Sequence, residues 1–173
     1  MTDDRKPRPL AELALIGEIV TQSKFAERAA DHLAKASDPI EVWCSIQSIL
    51  VAAANVSKIL WPVGKSYMAR GKRLRELLGV DDRNLLSDRT LRNHFEHYDE
   101  RIEDWFDNNN SAVYMDSRID PFEPTPWSLP RLYQRSYNPT SQKLSFRDET
   151  IDLAGLLSAL AEVREKCRFF ALP

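Results

Sequence analysis

Glycine is scarce in this chain, with five in 173 residues. Little of the backbone therefore calls for positive φ angles, and the class leans toward helix. Cysteine is scarcer still. Cys44 and Cys167 stand far apart, which argues against a disulfide-stapled scaffold. Three histidines and two cysteines offer no pair spaced as zinc ligands usually are, so no metal or other cofactor is expected. An excess of one charge is also missing. A net charge of −2 and a pI of about 6.0 argue against a strongly basic nucleic-acid binder. The longest apolar run, around ILVAAAN, is shorter than a bilayer span, so no membrane partner is expected. The opening MTDDRKPRPL carries acids where a secretory leader needs an apolar core. The expectation is a cytoplasmic chain with reduced thiols.

What is present is helical periodicity. Residues 1–9 are polar with two prolines and read as a flexible N-terminal arm. Residues 10–173 read as a single helical bundle domain. From Leu10 to about Ala36, Leu13, Ile16, Val20, Phe25, Ala29 and Leu33 recur at threes and fours. SDPIEVW is a helix start, with Ser37 or Asp38 as cap and Pro39 in the first turn. The helix that follows, about 39–60, is apolar nearly all round and suits the centre of a bundle. KRLRELLG is a short helix ending at Gly79. Residues 88–106 form the next, 107–130 a long proline-rich loop, and LYQRSYNPTSQKLSF a small hairpin turning at Asn138-Pro139. The last helix starts near Asp148 or Thr150, with Leu153, Leu156, Leu157, Leu160, Val163 and Cys167 on one face. Both cysteines lie among apolar residues and read as inert. The fold class is therefore all-α, a four- or five-helix bundle with a small β-hairpin inserted before the last helix.

The chemistry concentrates in RNHFEH, residues 92–97, which holds two of the three histidines. On a helix over 88–106, Leu91, Phe95, Tyr98, Ile102, Trp105 and Phe106 fall on one apolar stripe directed into the core. Arg92, Asn93, Glu96, His97 and Glu100 lie on the other side, with Asn93 and His97 one turn apart. That row is either a solvated face or a working site. Charge divides sharply across it. Residues 65–92 hold eight bases and four acids, whereas 93–123 hold two bases and nine acids. Lys65, Arg70, Lys72, Arg73 and Arg75 are the candidate nucleic-acid contacts of the basic segment. The acidic segment suits a basic partner, or the basic segment of a second copy.

Arg92-Asn93-x3-His97, on a late helix of a helical bundle, resembles the Arg-x4–6-His signature of the HEPN superfamily. The match covers the motif helix; elsewhere it extends to helix order and length. Position 99, tyrosine in many active members, is aspartate here. The resemblance implies a HEPN-like bundle and a metal-independent endoribonuclease, often a toxin or antiviral effector, whose cleft forms where the motif helices of a homodimer meet. It implies His97 as general acid or base, a role that suits imidazole because it titrates near neutrality. It implies Arg92 holding the scissile phosphate and Asn93 orienting it or the histidine. RNA and an antitoxin or other protein are the implied partners. The alternative is a non-catalytic HEPN-like interaction module binding a partner protein or nucleotide, and a plain helical scaffold is the third reading.

Overall fold

The computed structural model describes residues 8–88, 97–108, 114–122, 133–147 and 149–170. Among them the chain is mostly helical, with five α-helices and one four-stranded sheet. The contacts gather into two compact units, Met1–Arg89 with Leu156–Pro173, and Thr90–Gly155.

The first unit is helical. α1 (Pro9–Leu33) and α2 (Pro39–Leu60) form a helical hairpin across a short connection, and α3 (Lys65–Leu78) and a 3-10 turn (Leu85–Ser87) follow. α5 (Leu153–Cys167) belongs to this unit from Leu156 onward. Asp38 caps α2 as expected, its carboxylate accepting from the Ile40 and Glu41 N–H groups, with Pro39 in the first turn. The core is built from Ile16 and Ile19 of α1, Ile46, Ile49, Leu50 and Leu60 of α2, Leu74 of α3, Leu86, and Leu156, Leu160 and Val163 of α5. Each such side chain contributes roughly 1.5–3 kcal/mol on leaving water.

The buried face of α1 is not the one its large residues suggested. It runs Ile16, Ile19, Ser23, Ala26, Ala29, while Leu13 and Phe25 are exposed. Ser23 is admitted because its hydroxyl donates to the Ile19 carbonyl. α2, although apolar nearly all round, likewise leaves Ile40 and Val51 exposed. Among the described residues α2 is the one helix long and apolar enough to cross a bilayer, 22 residues against the shorter ILVAAAN run. Half of the segment that passes this test is buried inside the protein, as in a core helix.

α3 ends as expected at Gly79, whose φ of 63° is the left-handed value glycine accepts readily. Its middle is less ordinary, because it approaches the end of α2 too closely for a side chain at Gly71. A Cβ there would lie 2.7 Å from the Leu60 carbonyl oxygen and 2.9 Å from Pro62 Cγ, with Pro62 Cδ also in its way. Gly71→Ala is therefore expected to destabilise by about 1–3 kcal/mol, although alanine is the better helix former. Chemical denaturation of the two forms measures this, and a more stable variant would refute the close approach.

The second unit holds α4 (Tyr98–Asn108) and strands β1 (Arg118–Ile119), β2 (Arg135–Asn138), β3 (Lys143–Phe146) and β4 (Glu149–Asp152), in spatial order β1-β2-β3-β4. The expected hairpin is β2–β3. The Asn138 side chain accepts from the Thr140 and Ser141 N–H groups to close its turn. The sheet is larger than that hairpin. β1 adds in parallel to β2, and β4 pairs antiparallel with β3 over residues assigned from sequence to the start of the last helix. Ile151 opposite Leu144, itself opposite Tyr137, lines one buried row of the sheet. Asp152 then accepts from the Gly155 N–H, so the helix begins at Leu153. Its buried face carries Leu153, Leu156, Leu160, Val163 and Cys167 as read from sequence, while Leu157, expected on the same face, is half-buried.

Candidate functional site

Of the candidate catalytic residues, His97 is described; Arg92 and Asn93 lie outside the described residues. His97 sits at the head of α4, where its carbonyl accepts from the Arg101 N–H. Its side chain is 52 % exposed, and Nδ1 lies 3.2 Å from Glu100 Oε1, one turn further on. A carboxylate at that distance favours an Nδ1–H tautomer and leaves Nε2 as the nitrogen for proton transfer. Of the stripe expected to face the core, Trp105 is buried and Tyr98 and Ile102 half-buried. Phe106 is 53 % exposed, a departure from that expectation. It packs edge-on to Trp105 and stacks on Tyr114 at the surface, so its contacts are to neighbouring rings.

The residue after His97 is tied to the sheet by a network that sequence reading missed. The Tyr98 hydroxyl donates to Asp116 Oδ2 at 2.6 Å. Arg135 grips the same carboxylate through Nε at 2.9 Å and Nη2 at 2.6 Å, and its guanidinium lies 4.4 Å from the Tyr98 ring centroid. Nη2 also donates to Ser117 Oγ, which steadies a serine at φ 56°. Burial opposes the Asp116 charge most strongly, but the bonds from Arg135 and Tyr98 outweigh it and hold the carboxyl below the ordinary carboxylate range. Burial first, and the bond to Asp116 second, push the Tyr98 phenol well above its usual value. No local spacing announces this cluster, because Asp116 is 18 residues from Tyr98 and 19 from Arg135.

The five candidate phosphate contacts on α3 do not converge. Arg70 donates to the Lys58 and Ile59 carbonyls and Arg75 to the Leu60 carbonyl, so both cap the C-terminus of α2. Arg75 also holds Asp82 at 2.6 Å, Arg73 pairs with Glu12 at 2.9 Å, and Lys72 faces Glu76 at 3.7 Å. Lys65 is exposed at the start of the helix. The basic run thus largely anchors α3 to its neighbours.

The cysteines differ from one another. Cys167 is buried, and burial pushes its thiol up to about 11. Cys44 is exposed, contrary to its apolar sequence context, because α2 leaves one face open. That face and α1 line a groove of about 840 Å³, in which Phe25, Ala29, Cys44 and Val51 meet Arg28 and His32. Among the described residues no three His, Cys, Asp or Glu side chains gather as a metal-ligand set. No family model, no curated protein and no solved structure matches this chain.

Proposed function

We propose that this chain is a HEPN-like helical protein that cleaves cytoplasmic RNA without a metal, in a cleft formed where two copies bring their motif helices together. The observation that carries the reading is His97. It stands open to solvent at the head of α4, with Nδ1 held by Glu100 and Nε2 left for substrate. Helix order supports it as well: a long helical hairpin, a short third helix, the motif helix and a final helix. In the reaction Nε2 of one His97 takes the proton of a ribose 2′-hydroxyl, and the 2′-oxygen attacks the adjacent phosphorus. The 5′-oxygen leaves and takes up a proton from the other copy's His97. The products are a 2′,3′-cyclic phosphate and a 5′-hydroxyl. Arg92 would hold the phosphate as charge develops, and Asn93 would orient it or the imidazole.

A second reading is a non-catalytic module that binds a protein, an antitoxin among the candidates. The acids Asp99, Glu100, Glu103, Asp104 and Asp107, all exposed on α4 around His97, favour it, since they repel phosphate. The purified chain, incubated with end-labelled RNA in excess chelator, decides between them. Fragments ending in cyclic phosphate support the enzyme. RNA that stays intact under conditions where the chain is folded refutes it.

A further inference from the structure

The groove between α1 and α2 is apolar along its floor and cationic toward one end. Phe25, 57 % exposed, and Val51, 45 % exposed, mark the apolar part. Arg28, His32 and Lys35 follow Phe25 at plus three, plus seven and plus ten, so they continue one face of α1 and the turn after it. Among the described residues no carboxylate lies within ion-pair distance of Arg28 or Lys35, and Glu41 is the one acid on the groove wall. An exposed phenylalanine followed on one helical face by Arg28, a histidine and Lys35 calls for an apolar side chain flanked by acids at the same spacing.

α4 carries that pattern in reverse. Phe106 is half-exposed, Glu103 lies three residues before it and Asp99 seven before it, all on one face and all open to solvent. The helix holds five acids and one arginine. We infer that the α1–α2 groove receives α4 of a second copy of this chain, running antiparallel to α1, with Phe106 beside Phe25 and Val51, Glu103 facing Arg28 and Asp99 facing His32. The lengths agree, since the 11 residues of α4 span about 16 Å and the groove follows α1 from Gln22 to beyond His32, also about 15 Å. The contact joins two different surfaces, so two copies that exchange it reciprocally form a closed pair, and copies that make it once each form rings or open chains. It is separate from a pairing of two motif helices and does not require that the chain cleave RNA.

Sedimentation of the full chain over a range of concentrations, without RNA, tests this. The wild-type chain is expected to self-associate, more weakly in high salt. Arg28→Glu and Glu103→Arg should each weaken association about tenfold or more by setting like charges together, and the Arg28→Glu/Glu103→Arg double variant should recover it. Cys44 lines the groove, so its alkylation by a maleimide should slow several-fold on assembly, with Cys167 buried and silent. Circular dichroism of each variant establishes that it is folded, and both positions are exposed. A wild-type chain that stays monomeric overturns the inference. So does assembly that survives Arg28→Glu but not Glu103→Arg, which would mean that α4 meets α4. Failure of the double variant to recover overturns the register.

Discussion

His97→Ala is expected to lower RNA cleavage by about a hundredfold or more and to leave the melting temperature nearly unchanged. The two halves of this expectation have separate causes. Proton transfer by a positioned imidazole contributes about 10²–10⁴-fold, and alanine carries no proton at that site. Stability should hold because the side chain is half-exposed and its partner Glu100 is more exposed still. Surface changes of this kind stay within about 0.5 kcal/mol, or roughly 2 °C in a domain of this size. Glu100→Gln should produce a smaller loss, since it removes the charge beside the ring but keeps an acceptor for Nδ1–H and leaves Nε2 in place. Initial cleavage rates in chelator, paired with thermal melts, read both quantities. Equal rates in wild type and His97→Ala would end the enzyme reading and favour the interaction module. A fall of many degrees would make His97 a structural residue.

Asp116→Ala should destabilise the second unit by about 2–4 kcal/mol, because it leaves Arg135 without its charge partner in a largely buried place. The side chains of Arg135 and Asp116 are 19 % and 16 % exposed, so little water is there to replace the lost carboxylate. The Tyr98 hydroxyl loses its acceptor at the same moment. Asp116→Asn keeps the shape and some hydrogen bonds and should lose less. The pair also sets an acid dependence. The folded Asp116 carboxyl titrates below the ordinary range, whereas the unfolded one titrates near 3.9, as aspartates usually do. The stabilisation from its charge is therefore complete above about pH 4 and is lost as pH falls through the lower folded value. Denaturation midpoints of wild type and Asp116→Asn should stand apart at pH 7 and draw together as pH falls below the ordinary aspartate range. A constant gap over that fall in pH would show that the charge of Asp116 is not what stabilises the unit.

Features controlled by local chemistry are legible in the order of the amino acids. The cap at Asp38-Pro39, the left-handed stop at Gly79, the Asn138-Pro139 turn and the leucine face of the last helix each depend on residues within a turn or two of one another. Their backbone groups find partners nearby, so spacing is enough to read them. Which apolar faces are buried depends instead on the packing of the folded chain. Phe25 and Phe106 stay outside while Ser23 and Ala26 go in, because close packing selects residues that fit the neighbouring helix rather than the largest ones. The fold also makes residues 149–152 a strand, since the partner strand β3 supplies the bonds that a helix would have made internally. It turned the basic run of α3 from an apparent phosphate surface into caps and ion pairs, and it joined Tyr98, Asp116 and Arg135 beside the candidate histidine. Each of these depends on contacts between residues far apart in the chain, which periodicity does not encode.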